Sequence, residues 1–291
     1  MPDGSSDRLG TARGFLFDLD GTLVLGDRHN HGLRPLPGAL EITRWVAAQG
    51  LPFAVLTNGT TKTPRQLGAA LREIGFEVAD AAVLTPASSA VSVLTRHRHR
   101  RVLALGGEGL TGPLQEAGLE VVLPAAGSPP AADDGHSVDA VLVGWFPDFT
   151  LAALEVACQA VWSGARLYSA SQSLYFATAG GRAIGTSRAI SAMITSLTGQ
   201  RARLVGKPSL AALRTAASRM GVRAADLVVV GDDPELEVPM AHRGGALAVA
   251  VRSGLGQAGS FSHLPPERQP HLHLRGVDEL LELVASQKGR A

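Results

Sequence analysis

A chain of 291 residues with a 45% hydrophobic share has room for one large or two medium domains with a real core. Its 27 Lys and Arg nearly cancel its 26 Asp and Glu, and a net charge of +1 offers no global field for nucleic acid or an anionic membrane. No apolar run reaches the roughly 18 residues of a membrane span, and a single cysteine, Cys158, excludes an intramolecular disulfide. Residues 1–13 are polar and lack the apolar middle of a secretory signal, so a cytoplasmic location is expected.

The first apolar segment, Phe15-Leu16-Phe17, runs into Asp18-Leu19-Asp20-Gly21-Thr22. A short aromatic run closed by a Gly turn predicts a buried strand ending at Asp18. In a parallel sheet, ligands gather at the carboxyl ends of strands, so Asp18 and Asp20 are expected together at a mouth. Two ionised carboxylates that close repel unless a proton or a cation separates them. A hard divalent ion with oxygen ligands, most simply Mg²⁺, meets that need. Asp and Gly also make plain turns. A calcium loop of the helix–loop–helix type is excluded, because its Gly and Glu positions fall on Leu23 and His29.

Residues 25–37, rich in Gly, His and Pro, read as a mobile loop beside the mouth. Pro37-Gly38-Ala39 opens a helix with Leu40, Ile42, Trp45 and Val46 on one face, ending at Gly50. A second buried strand at 51–56 ends in Thr57-Asn58-Gly59-Thr60. That stretch offers a hydroxyl, an amide and a turn with exposed main-chain N–H groups, all able to hold phosphate oxygens; it also suits a plain strand-to-helix turn. Thr63-Pro64 reads as a helix cap followed by Pro in the first turn. Strand–helix–strand–helix is the grammar of a doubly wound sheet.

Residues 87–95 read as a helix, and the basic run 96–101 as its solvated end. Gly107-Glu108-Gly109-Leu110-Thr111-Gly112 spells a dinucleotide loop, but the next strand, 120–123, does not end in the acidic residue such a site needs. A tight turn is expected there instead. Residues 127–137, with Asp133, Asp134 and His136, read as surface loop. Strands at 138–143 and 166–170 flank a helix at 151–162, in which Cys158 serves as a small buried hydrophobe. Ser171-Gln172-Ser173 and a Gly-rich 179–185 then precede a helix at 186–197, so the middle of the chain forms its own α/β unit.

Lys is scarce in this chain, and Lys207 stands between Gly206 and Pro208 just before a helix at 209–220. There it suits a fixed point charge for phosphate. The apolar strand 227–230 runs into Gly231-Asp232-Asp233-Pro234-Glu235-Leu236-Glu237, a second buried strand with carboxylates at its end. A parallel sheet would place Asp232 near Asp18. His271 and His273 alternate with Leu272 and Leu274 in an edge strand, and 278–286 is a terminal helix.

Asp18-x-Asp20-Gly21-Thr22, Thr57-Asn58, Lys207-Pro208 and Gly231-Asp232-Asp233 occur in the order of the four motifs of the haloacid dehalogenase superfamily. The long segment between the second and third motifs resembles its large α/β cap. It points to the subfamily of 4-nitrophenylphosphatase, phosphoglycolate phosphatase and pyridoxal phosphate phosphatase type. The resemblance implies an α/β fold: a doubly wound parallel-sheet core (1–97 and 203–291) carrying an inserted α/β cap (98–202). It implies Asp18 as the nucleophile that becomes an aspartyl-phosphate and Asp20 as the general acid/base. Thr57, Asn58 and Gly59 would bind the phosphoryl group, and Lys207 would neutralise it and hold Asp18. Asp18, the main-chain carbonyl of Asp20, and Asp232 would hold Mg²⁺.

Two departures stand out. Glu237 replaces the second Asp of the fourth motif, leaving Glu237 or Asp233 to complete the metal site. Ser171, Gln172 and Ser173 stand where the cap has an Asn-x-Asp signature, and they are the candidates for substrate choice. The expected function is a Mg²⁺-dependent phosphatase acting on a small phosphorylated molecule, with no nucleic-acid or membrane partner; the resemblance adds a homodimer through the cap. The rivals are a phosphotransferase or phosphomutase on the same scaffold, a catalytically silent binding module, and a nucleotide-dependent oxidoreductase using Gly107–Gly112.

Overall fold

The strand Gly14–Asp18 (β1) is buried at every residue and lies in the middle of a six-stranded parallel sheet. The structure, a computed structural model, describes residues 5–27, 32–124, 137–178, 181–255, 261 and 263–288. Asp133, Asp134 and His136, and part of the 25–37 loop, lie outside the described residues.

In chain order, helix α1 (Ser5–Gly10) precedes β1, and a two-residue ribbon β2 (Val24–Leu25) and β3 (Arg34–Pro35) comes after it. Then come α2 (Ala39–Ala48), β4 (Phe53–Leu56), α3 (Pro64–Glu73), β5 (Val83–Leu84) and α4 (Pro86–Arg96). A second set of elements comprises β6 (Arg101–Leu105), α5 (Glu108–Glu116), β7 (Glu120–Val122), β8 (Ala140–Val143), α6 (Leu151–Trp162) and β9 (Arg166–Ser169). It continues with β10 (Tyr175–Thr178), β11 (Gly181–Ile184), α7 (Thr186–Thr198) and β12 (Arg203–Leu204). The chain finishes with α8 (Leu210–Met220), β13 (Leu227–Gly231), α9 (Glu237–Gly244), β14 (Leu247–Val251), β15 (Leu272–Leu274) and α10 (Val277–Lys288). Among the described residues no helix is long and apolar enough to cross a membrane.

The first sheet runs β15-β14-β13-β1-β4-β5. Both faces of β1 are covered, which is why it reads as a continuous apolar run and not as an alternation. Phe15 and Phe17 face a cluster with Ile42, Leu71 and Leu280, while Leu16 faces Leu213, Met240 and Ala241 on the opposite side. Asp18 stands opposite Leu56 of β4, and Phe17 opposite Val230 of β13. Register therefore brings the carboxyl ends of β1, β4 and β13 side by side. The order reverses at β1, where such sheets open a crevice for ligands.

The second sheet runs β12-β9-β8-β6-β7, also parallel, with α6 and α7 packed on one face. Helix α4 lies between the two sheets. Its Ala87, Ala90, Val93 and Leu94 share a cluster with Val102, Leu142 and Tyr168 of the second sheet, and it also packs on α8. Cys158 is buried and unpaired, as its helical spacing suggested.

Two local expectations are corrected. Strands β10 (Tyr175–Thr178) and β11 (Gly181–Ile184) pair antiparallel, where the sequence had suggested only a Gly-rich lead into a helix. Glycine hides strand pairing because it has no side chain to alternate. Residues 107–112 are no tight turn: α5 runs through Gly109 and Gly112. A Cβ on Gly109 would sit 2.5 Å from the Thr60 carbonyl oxygen, so its glycine serves the close approach of α5 to the 60–62 loop, not a dinucleotide.

Candidate active site

The three adjacent strand ends and the loop at Lys207 build the floor of one cleft. Asp18, Asp20, Thr57, Asn58, Lys207 and Asp232 all line it, together with Gly59, Asp233 and Glu237. The second-sheet unit supplies the opposite wall, which includes Trp145, Ser171, Ser173 and Tyr175. With the open solvent at its mouth, the cleft holds about 800 Å³, ample for a phosphate on a small organic group. Gln172 is not on the wall; its carbonyl accepts a hydrogen bond from Arg188 at 3.0 Å.

Asp18, only 5% exposed, ends β1. Lys207 Nζ bonds its Oδ1, and the Thr22 hydroxyl donates to its Oδ2 at 3.3 Å. The same ammonium pairs with Glu237 Oε1 at 2.7 Å. Lys207 is thus held between two carboxylates. Burial pulls its pKa down, but the charges of Asp18 and Glu237 outweigh that and raise it, so the cation persists. Glu237 Oε2 accepts from the Asp233 main-chain N–H at 3.2 Å. Glu237, spent on Lys207 and the 233 turn, acts as a lysine partner. The Asp233 carboxylate caps its own loop, accepting from Glu235 N at 2.8 Å.

Asp20 lies two residues on, at the start of the turn whose Gly21 adopts a φ of +88°. Its Oδ2 accepts from Thr57 Oγ1 at 3.1 Å. Burial first, then the neighbouring Asp18 charge, lift its pKa to about 7. Thr57 Oγ1 in turn accepts from Gly59 N at 2.9 Å.

Asn58 lines the cleft next to Thr57. Its side chain is occupied by protein: Oδ1 accepts from Lys207 N, and Nδ2 donates to Lys207 O and to Ser171 Oγ. Its main-chain N–H has no acceptor among the described residues.

Asp232, exposed to only 1%, sits at the end of β13. Burial, then the charges of Asp18 and Glu237, push its carboxyl well above the usual range. A loop after β14 braces it: Leu255 N donates to Oδ2 at 2.6 Å, and Ser253 Oγ donates to Gly21 O at 2.7 Å. A Cβ on Gly254 would stand 2.0 Å from Asp232 Oδ2, and one on Gly21 2.5 Å from it. Thr22 belongs to the motif read in the sequence, whereas Ser253, Gly254 and Leu255 carried no signal there that marked them as site residues.

The floor gathers the buried carboxylates of Asp18, Asp232 and Glu237 around a single buried ammonium, Lys207. Buried negative charge in that excess calls for a cation or protons. The donor set, all oxygen, suits Mg²⁺.

Comparison with known proteins places the chain in a family. A family profile described as haloacid dehalogenase-like hydrolase matches residues 15–120, and a second, HAD-hydrolase-like, matches 204–280. The acid sugar phosphatase of Staphylococcus haemolyticus is 28% identical over 244 residues, spanning 84% of this chain and 86% of that protein. Human chronophin is 29% identical over 290 residues, spanning 95% and 94%. A Mycobacterium tuberculosis glycerol phosphate phosphatase, solved with magnesium, superposes with a TM-score of 0.78 at 26% identity, covering 95% of this chain and 77% of its own. The chain belongs to the haloacid dehalogenase-like hydrolases.

Proposed function

We propose that the protein is a Mg²⁺-dependent phosphatase that hydrolyses a small-molecule phosphomonoester through an aspartyl-phosphate on Asp18. The observation that carries this reading is Asp18 itself: a buried carboxylate fixed by Lys207 and Thr22 at a cleft floor, beside an acid, Asp20, that can hold a proton near neutrality. Asp18 attacks phosphorus, the bond from phosphorus to the leaving oxygen breaks, and that oxygen takes the Asp20 proton. Water then attacks the same phosphorus, gives its proton to Asp20, and releases inorganic phosphate and the Asp18 carboxylate. Lys207 would offset charge on the phosphoryl oxygens, and the Asn58 main-chain N–H, which has no acceptor among the described residues, would donate to them.

Asp18, Asp232 and the main-chain carbonyl of Asp20 would hold Mg²⁺. Among the described residues no three His, Cys, Asp or Glu side chains gather as a metal cage. Two carboxylates and a carbonyl suit an ion that keeps several waters. When bound, Mg²⁺ neutralises phosphoryl charge against an anionic nucleophile.

The unit around residues 98–202 would act as a cap over the cleft, its Trp145 N–H bonded to Thr60 Oγ1 at 2.8 Å. Exposed Leu174, Ile184, Met193 and Leu197 on this unit support pairing of two copies. The unpaired thiol of Cys158 suits a reducing, cytoplasmic setting. A panel of metabolite phosphates and 4-nitrophenyl phosphate, assayed for phosphate release with Mg²⁺ and with chelator, tests the reading. Metal-dependent release supports it; no release from any ester refutes it.

A further inference from the structure

The strands of the second sheet are parallel, so they begin together on one edge. Ser171 and Lys207, which come after β9 and β12, line the cleft; the starts of those strands lie on the opposite edge, roughly 13 Å of strand away. That far edge is basic. Arg166 begins β9 and Arg203 begins β12, and the run Arg96-His97-Arg98-His99-Arg100 leads from the end of α4 into β6. The whole chain carries a net charge of only +1, so the concentration is local.

These charges converge on one buried pair. His99 Nε2 and the Tyr168 hydroxyl share a hydrogen bond at 3.0 Å, with the rings edge to face at 5.7 Å. Burial lifts the Tyr168 pKa, against the charges of Arg203, Arg166 and Arg96. Burial holds the His99 pKa below its ordinary value; the charge of Asp139 opposes this, and those of His97, Arg166 and Arg203 add to it. Cations from α4, β9 and β12 thus surround a single point.

The nearby acids are spent. Asp139 Oδ2 accepts from the Arg100 and Arg101 main-chain N–H groups at 2.6 and 2.9 Å, and Glu120 pairs with Arg101. Among the described residues no carboxylate forms an ion pair with Arg96, Arg98, Arg166 or Arg203, all four of them exposed. The dipole of α4 accounts for Arg96 and His97 at its end, but not for Arg166 and Arg203. Arg98 adds a separate sign. Its φ is +60°, and every other positive φ among the described residues belongs to glycine. A helix end of this kind favours glycine, yet an arginine is kept there at a cost in backbone strain.

We propose that this edge, with Arg96, Arg98, Arg166 and Arg203, binds a compact polyphosphate. Planar guanidinium forks match phosphate oxygens in pairs, and four of them from three elements suit an anion with several phosphates close together. The ligand class is an inorganic polyphosphate or the triphosphate of a nucleotide, which share that chain of oxygens. A nucleic-acid strand would want a platform for its bases, whereas the central aromatic, Tyr168, is only 1% exposed.

The test is calorimetric titration of the full chain with tripolyphosphate in EDTA at about 0.1 M salt, where surface charge is partly screened. It measures binding alone and so stands whether or not the cleft hydrolyses esters. One equivalent is expected to bind. Arg166→Gln with Arg203→Gln should weaken it by about a hundredfold, and Arg98→Gln alone by about tenfold, the scale of one charge-assisted hydrogen bond per guanidinium. Arg223→Gln, which removes an exposed arginine paired with Asp226 elsewhere, should leave it unchanged. ATP binding as tightly as tripolyphosphate assigns recognition to the phosphates, and tighter binding by ATP assigns the site to a nucleotide. No binding by the parent protein overturns the proposal. Undiminished affinity in the double variant and in Arg98→Gln, which would put the anion in the cleft, overturns it too, as does an equal loss in Arg223→Gln. Binding of a single-stranded oligonucleotide without binding of tripolyphosphate likewise overturns it, in favour of nucleic acid.

Discussion

The side chain of Asn58 brackets the main chain of Lys207: Oδ1 accepts from Lys207 N at 2.8 Å, and Nδ2 donates to Lys207 O at 3.0 Å. The pairing imitates one rung of a sheet between loops 149 residues apart. It fixes where the ammonium emerges, and a 3.3 Å bond to Ser171 Oγ ties the same amide to the cap. Asn58→Ala leaves these main-chain groups unpaired in a half-buried place, at about 1–3 kcal/mol each where water cannot replace the partner. The expected outcome is a roughly hundredfold fall in kcat, with stability lower by about 2 kcal/mol in urea denaturation.

Gly254 and Gly21 leave no room for a methyl group beside Asp232. Gly254→Ala must push the carboxylate or the loop aside, misplacing a group that would hold Mg²⁺. A rise of about tenfold or more in the Mg²⁺ concentration for half-maximal activity is expected, in line with other losses of metal-site support. Titration of phosphatase activity with Mg²⁺ reads it directly.

Asp20 has a folded pKa raised to about 7 by burial and then by Asp18. The protonated acid is therefore abundant below that value and is lost as pH rises through it. Activity on alkyl phosphates is expected to fall along that limb, which moves to lower pH as Mg²⁺ draws off the Asp18 charge. Asp20→Asn should cost alkyl phosphates about 10²–10⁴-fold in kcat. 4-Nitrophenyl phosphate should lose less, because its leaving group departs without a proton. Comparing the two esters across pH checks both statements.

Helix α5 meets the 60–62 loop through Gly109, where a Cβ would come within 2.5 Å of Thr60 O. Gly109→Val is expected to lift the cap from the floor. KM should rise for esters that reach the wall, and stability should fall by about 1–3 kcal/mol from overpacking. Kinetics and thermal unfolding together measure it.

The chemistry-bearing residues were legible wherever a strand delivered them. Phe15-Leu16-Phe17 and Leu227–Val230 are apolar enough to declare buried strands, and the polar residues just after each strand must then lie at the carboxyl edge of a sheet. Asp18, Asp20 and Asp232 could be read on that ground, and Lys207 by its isolation. The supports were not legible. Ser253 reaches Gly21 across 232 residues, and Asn58 reaches Lys207 across 149, through contacts that leave no local pattern. The antiparallel pairing of β10 with β11 was hidden in a Gly-rich stretch, where a missing side chain leaves no alternation to read.

The most direct measurement is acid-quench mass spectrometry of the Mg²⁺ enzyme during turnover of 4-nitrophenyl phosphate, alongside Asp18→Asn. The expected result is one phosphoryl group on the peptide containing Asp18, with both the adduct and the turnover absent from Asp18→Asn. Undiminished turnover by Asp18→Asn, or a phosphoryl group carried on another residue, would contradict it.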